Sequence, residues 1–254
     1  MEPHAVGGDA IGYFADRADA YARWRPGYPA AALEAALAGL PTPTRAVDVG
    51  CGTGISTRAL HAAGARTLGV EPDPRMLAQA AAQGGPRYVV GRAEALPLAD
   101  ASQDLVFVAQ AFHWFDRDRA LREFQRVLRP GGRVALVWNL RRTDTPFMAA
   151  YAAVVERAQA HTEQTGRRVS RMRCASPADS PWFRDGQQLS YPNDDALTWE
   201  GVVGRIDSAS YFPRAGEVRE ALLAELRAAF DAHAEFGRVT YAQRTELTLA
   251  LRAG

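Results

Sequence analysis

The chain has 254 residues, 47% of them hydrophobic, and its 30 basic and 29 acidic side chains leave a formal charge of +1, so no global field recruits nucleic acid or an anionic membrane. Every basic residue is arginine, and without a lysine amine Schiff-base chemistry is excluded. Cys51 and Cys174 are too few for a disulfide framework and have no metal-ligand spacing. No secretory leader or membrane-length apolar run of roughly 20 residues is present, so a soluble, cytoplasmic protein without a metal site is expected.

In chain order, Ala46 to Val49 is a short apolar strand ending at glycines, followed by a helix over Ile55 to Ala63. Thr67 to Val70 predicts a second strand. Asp73 caps the helix that follows it, from Arg75 to about Gln83, with Pro74 just inside. Arg87 to Val90 and Asp104 to Ala109 are the third and fourth strands, the latter continuously apolar as a strand covered on both faces must be. Arg117 to Leu128 reads as an amphipathic helix stopped by Arg129-Pro130-Gly131-Gly132, and Arg133 to Trp138 as the fifth strand. This alternation implies a parallel sheet with right-handed crossovers.

Beyond residue 140 the pattern loosens. Helices are expected over Phe147 to Gln159, Trp199 to Ser208 and Gly216 to Ala234, and a strand within Gln187 to Leu197. Arg167 to Arg184 is polar and irregular, and its arginines Arg167, Arg168, Arg171 and Arg173 read as a solvated loop. Val239 to Leu251 reads as one late antiparallel strand completing the sheet.

The stretch Val47-Asp48-Val49-Gly50-Cys51-Gly52-Thr53-Gly54 discriminates among nucleotide ligands. A dinucleotide fingerprint starting at Gly50 would need its third glycine at Ile55, and a phosphate loop would need a lysine that the chain lacks. What remains is G-x-G-x-G with Asp48 two residues before it, a backbone bare enough for close approach and a carboxylate suited to an ammonium group. Glu71, closing the second strand, stands where an acid receives both hydroxyls of a ribose. A nucleoside joined to an amino acid satisfies both, and S-adenosylmethionine is such a molecule.

These residues resemble the class I S-adenosylmethionine-dependent methyltransferases over roughly residues 40 to 140. "GVEPDPRML" (Gly69 to Leu77), "GRAEALPLADASQDLVFVAQAFHWFD" (Gly91 to Asp116), "RVLRPGG" (Arg126 to Gly132) and the lead-in "YARWRPGYP" (Tyr21 to Pro29) are similar to the small-molecule branch, which includes quinone-biosynthesis and trans-aconitate methyltransferases. The resemblance implies an α/β Rossmann-like sheet of seven strands, mostly parallel with the last antiparallel, and helices on both faces. It further implies one domain over 1–254, with a cofactor-binding core at about 40–140, cap elements at 11–30 and 141–235, and the final strand at 239–254.

By the same resemblance Gly50, Cys51, Gly52 and Gly54 pass beneath S-adenosylmethionine, Glu71 holds its ribose, and Pro72 with Met76 flank the adenine. Ala93 and Glu94 reach the adenine edge. Gln110, His113 and Trp114 follow the fourth strand, where methionine portion and acceptor meet, and Tyr21 and Arg25 fold over the cofactor toward its carboxylate. His113 is the candidate general base, against a plain positioning role for its imidazole beside Trp114; Phe115 is assigned to the core. No Asn/Asp-Pro-Pro-Tyr/Phe motif follows the fourth strand, where the chain reads Ala109-Gln110-Ala111-Phe112, which argues against a base-amine methylase. A small-molecule acceptor, with S-adenosylhomocysteine as product, is expected. An RNA or protein methyltransferase and a binding module without turnover stay open. Most cap aromatics (Tyr151, Trp182, Phe183, Tyr191, Trp199, Tyr211 and Phe212) read as the cap's own core.

Overall fold

The computed structural model describes residues 24–164, 176–209 and 211–254. Helix α1 (Ala30–Leu37) precedes strand β1 (Arg45–Val49), the glycine turn and α2 (Ile55–Ala62). Then come β2 (Arg66–Glu71), α3 (Pro74–Ala82), β3 (Arg87–Val90), β4 (Gln103–Ala109), a 3-10 turn (Phe112–Trp114), α4 (Arg117–Val127) and β5 (Leu128–Arg141). The second half adds α5 (Pro146–Gln164), a 3-10 turn (Pro177–Asp179), β6 (Phe183–Pro192), β7 (Asp195–Leu197), α6 (Trp199–Asp207), α7 (Glu217–His233), β8 (Val239–Tyr241) and β9 (Gln243–Arg252).

Seven strands form one sheet in the order β3-β2-β1-β4-β5-β9-β6. Neighbours from β3 through β5 pair in parallel, while β9 runs antiparallel to β5 and β6, between which it is inserted. Strand order therefore reverses between β1 and β4. In an open α/β sheet the crevice beyond the carboxyl ends of such a strand pair is the ligand site, and here it receives the glycine turn from β1 and Gln110 from β4.

Alternation along β4 explains its unbroken apolar run. Val106 and Val108 face Leu121 and Phe124 of α4 in one core, and Leu105 and Phe107 face Leu33 of α1 and Leu60 of α2 in another. A third cluster, built from Tyr151, Val155, Ile206, Leu226 and Tyr241, is the core of a cap formed by α5, α6, α7, β7 and β8. Among the aromatics assigned to the cap, Tyr151, Trp199, Tyr211 and Phe212 do join this cluster, whereas Trp182 and Phe183 pack on the α4 side of the main sheet and Tyr191 on the α1 side.

Several boundaries differ from the sequence expectation. The turn Arg129-Pro130-Gly131-Gly132 does not precede the fifth strand but lies inside it, because Leu128 already pairs with Gln103 before the register shifts to Leu105 opposite Arg133. Gly131 is left-handed at φ 80°, and a Cβ on Gly132 would stand 3.0 Å from the Asp104 carbonyl oxygen, so these glycines bend a continuing strand. Gln187 to Leu197 holds parts of two strands, and the tail is two strands parted at Ala242, because Val239–Tyr241 leaves the main sheet to pair with Asp195–Leu197. Helix α1 had no counterpart in the expected elements, and α5 runs on to Gln164.

Candidate active site

All three glycines of the turn are left-handed, at φ 70° for Gly50, 54° for Gly52 and 80° for Gly54, a conformation costly for any residue with a Cβ. The bare Cα atoms also face protein: a Cβ at Gly50 would lie 2.7 Å from the Ala111 methyl, and one at Gly54 2.5 Å from the Tyr88 hydroxyl. At Gly52 it would meet only the Met76 methyl at 3.4 Å. The turn is tied to β2 by Gly50 and Cys51 N–H groups donating to the Val70 carbonyl, at 2.8 and 3.1 Å.

Glu71 closes β2 beside this turn. Its Oε2 accepts from Gly52 N–H at 3.0 Å and its Oε1 from Asp73 N–H at 3.2 Å, so one carboxylate spans the glycine turn and the cap of α3. Burial raises the Glu71 carboxyl to about 6 against the pull of those donors. Asp48 is fully enclosed, and its Oδ2 accepts from Ser56 at 2.7 Å and Thr57 at 2.6 Å. The expected direct contact with an ammonium group thus finds no exposed surface on Asp48: with hydroxyls placed one turn into α2, the carboxylate pins that helix start under the glycines. Burial raises Asp48 to about 6 as well. Its Oδ1 and the Thr53 hydroxyl are buried without a hydrogen-bond partner among the described residues. Burial also pushes the Cys51 thiol up, in keeping with a packed rather than reactive sulfur.

A narrow cleft of about 40 Å³ runs over the turn, lined by Arg25, Pro26, Tyr28, Gly50, Cys51, Gly52, Gln110 and Asn139 among others. Of the residues expected in the site, Arg25, Gly50, Cys51, Gly52 and Gln110 meet there. Gly54 and Glu71 adjoin it through the turn, and Met76 packs against Gly52. Pro72 is half-buried and Ala93 buried beyond the cleft. Glu94 lies along a separate groove of about 470 Å³ with Arg119, Arg122 and Trp182, where its carboxylate accepts from Asp116 N–H at 2.9 Å. Tyr21 and Cys174, with the four arginines at 167–173, fall outside the described residues.

Gln110 is left-handed at φ 58°, an uncommon state for a residue with a side chain and one concentrated at functional positions. Beyond it the half-buried His113 ring lies between Trp114 and Trp138, tilted 42° to each, with centroids at 4.8 and 5.2 Å. Burial, then the Arg25 charge, lowers its imidazole to about 4, and its Nδ1 has no hydrogen-bond partner among the described residues. Phe115 packs on Phe112 and Phe124.

Asn139 was missed by sequence reasoning. Its amide donates to the Gly27 carbonyl at 3.1 Å, as does that of Asn193, while its Oδ1 accepts from Asn193 and Thr245. These bonds fix the lead-in segment over the cleft. A polar residue ending an apolar strand was the available signal.

Residues 47–136 match the methyltransferase domain family. The chain carries a class I methyltransferase domain. An uncharacterised methyltransferase of Mycobacterium bovis is 46% identical over 130 residues, 50% of this chain and 52% of that protein. A malonyl-[acyl-carrier protein] O-methyltransferase of Methylococcus capsulatus is 46% identical over 113 residues, 40% and 41% of the two chains. The chain thus spans about half the length, or less, of the curated relatives it matches. A solved structure from Anaeromyxobacter dehalogenans, provisionally assigned as a type II methyltransferase, is 26% identical with a TM-score of 0.63, covering 91% of this chain and 97% of its own. The likeness therefore extends from the methyltransferase domain into the cap. Among the described residues no group of three or more His, Cys, Asp and Glu could hold a metal ion, and no helix is long and apolar enough to cross a membrane.

Proposed function

We propose that the protein is an S-adenosylmethionine-dependent methyltransferase with a small-molecule acceptor. The observation that carries the proposal is Glu71: a half-buried carboxylate, held by N–H groups of the glycine turn and of the next helix cap, at the strand end where a ribose is gripped. The left-handed glycines leave a backbone that a cofactor can approach closely over the turn.

In this reading Gly50, Cys51, Gly52 and Gly54 run beneath the cofactor, Glu71 holds the ribose, and Pro72 and Met76 flank the adenine with Ala93 and Glu94 at its edge. Arg25 and Tyr21 serve the methionine carboxylate. Gln110, His113 and Trp114 border the acceptor. Bound S-adenosylmethionine supplies an activated methyl group on a sulfonium, leaving S-adenosylhomocysteine once the acceptor has formed its new bond to carbon. The protein's own work is to align the acceptor, exclude water and take a proton where the acceptor is neutral. His113, lowered to about 4 by burial and then by Arg25, is neutral at about pH 7 but a weak proton acceptor there, which favours a positioning role for its imidazole beside Trp114 over general-base catalysis.

A narrow cleft roofed by Arg25 to Tyr28 and a net charge of +1 favour a small acceptor over RNA. The Methylococcus relative's name adds an acyl acceptor to the candidates. Incubating the protein with methyl-labelled S-adenosylmethionine and fractionated cell extract tests the proposal: label should enter a compound below protein size. Label in RNA or protein, or cofactor binding without S-adenosylhomocysteine release, would overturn it.

A further inference from the structure

Two arginines bear on a pair of tyrosine rings at the cap. Tyr151 of α5 and Tyr241 of β8 meet edge to face with centroids 5.2 Å apart, and an arginine lies against each. Arg205 of α6 stacks 4.8 Å from the centre of Tyr241, and Arg141, the last residue of β5, stands 5.9 Å over Tyr151. Arg205 is 7% exposed and donates one Nη2 bond to Asp195 at 2.7 Å, but its Nε and Nη1 are buried without a hydrogen-bond partner among the described residues.

Arg141 differs from its neighbour Arg142, which has Asp144 and Asp194 beside it. Among the described residues the one side-chain hydrogen bond of Arg141 runs from Nη1 to the Tyr211 hydroxyl at 3.0 Å, and no carboxylate lies within ion-pair distance of its guanidinium. Its partners are tyrosines, which hold a planar cation in place without neutralising it. The residue is nonetheless exposed to solvent, so a ligand can reach it.

Its position is at the acceptor end of the sheet. Asn139, two residues earlier on β5, lines the cleft. Side chains two apart on a strand share a face, with Cα atoms about 7 Å apart. Arg141 therefore continues the cleft wall beyond the carboxyl end of β5, toward the cap. A single open guanidinium with a hydroxyl beside it matches a planar monoanion, which it can grip with two parallel N–H groups.

We infer that Arg141, assisted by Tyr211, selects the acceptor by pairing with a carboxylate on it, so that the substrate class is an organic acid. Arg205, paired with Asp195, packs behind the Tyr241 ring without touching the ligand. The inference rests on the methyl-transfer reading above.

The test uses the full chain with benzoate, cinnamate, glutarate and octanoate, each paired with its neutral amide. Methyl transfer and binding to protein loaded with S-adenosylhomocysteine are measured together. At least one acid should exceed its amide tenfold or more in kcat/KM or in affinity. Arg141→Gln should erase that preference chiefly through KM or Kd, Arg141→Lys should restore part of it, and Tyr211→Phe should weaken it several-fold, all with unchanged S-adenosylmethionine affinity. Acids and amides used or bound alike, no acid bound, or an acid preference surviving in Arg141→Gln would each overturn the inference. Failure of the wild-type chain to bind S-adenosylmethionine would instead sink the methyl-transfer reading. Acid binding lost in Arg141→Gln, even without turnover, would support the assignment of Arg141 on its own.

Discussion

Glu71 has to be ionised to accept hydrogen bonds through both oxygens, yet burial has raised it to about 6. If it grips a ribose, protons compete with the cofactor. At pH 7.5 the carboxylate is charged and binding is full; as pH falls through about 6 it protonates and affinity falls with it. Calorimetric titration from pH 5 to 8 should show that decline for the wild type. Glu71→Gln should bind S-adenosylmethionine about 1.5–3 kcal/mol more weakly near pH 7.5, the range for hydrogen bonds to a charged group, with a flatter pH profile. A wild-type curve flat across this range, or an unchanged affinity in the variant, would remove Glu71 from the cofactor site.

The described part of the lead-in, from Trp24, is held by packing on α6 together with hydrogen bonds made by Arg25 and Gly27. Trp24 lies on α6 where Gly201 and Gly204 leave room for its indole; a Cβ at Gly204 would collide with that ring. Arg25 donates to the Ser208 carbonyl at the end of the same helix, at 3.3 Å. Two effects of Gly204→Ala oppose each other. Alanine favours an interior helical position by about 0.8–1.0 kcal/mol, but overpacking of the buried contact costs about 1–3 kcal/mol. The collision should win, displacing Trp24 and with it Arg25 and Tyr28 over the cleft. We expect lower thermal stability and several-fold weaker S-adenosylmethionine binding by calorimetry. A variant more stable than wild type with native affinity would show that the Trp24 contact does not position the lead-in.

Across the whole molecule, the buried acid Asp48 makes stability depend on pH. Its folded-state carboxyl stands at about 6 against an ordinary value of 3.8, with burial the cause and the Thr57 and Ser56 hydroxyls opposing it. Because the raised value belongs to the folded state, that state holds the proton more tightly between those limits. Its contribution to stability therefore falls as pH rises from about 4 to about 6 and is level above. Asp48→Asn keeps an acceptor for both hydroxyls and carries no charge. Urea unfolding should find it more stable than wild type at pH 7.5, by up to about 3 kcal/mol, and nearly equal to it at pH 4. A variant less stable at both pH values would mean that the ionised carboxylate is itself the favourable partner.

Local chemistry makes much of the methyltransferase domain legible in the sequence. A strand running into three glycines, an acid closing the next strand and Asp73 capping α3 are written in neighbouring residues, because turns, caps and periodicity are short-range constraints. The parallel half of the sheet follows from strand and helix alternating. Three-dimensional packing decided the rest. Asp48 is spent on Ser56 and Thr57, which no spacing rule distinguishes from an ammonium group. The Asn139 contacts to Gly27 and Thr245 join residues more than a hundred positions apart, and β8 leaves β9 to pair with β7 only because the cap gives it a partner. Contacts of that span have no local period, so the sequence determined the turn and strand ends that can receive a cofactor, while only the folded chain decided what roofs the cleft and sets Arg141 among tyrosines.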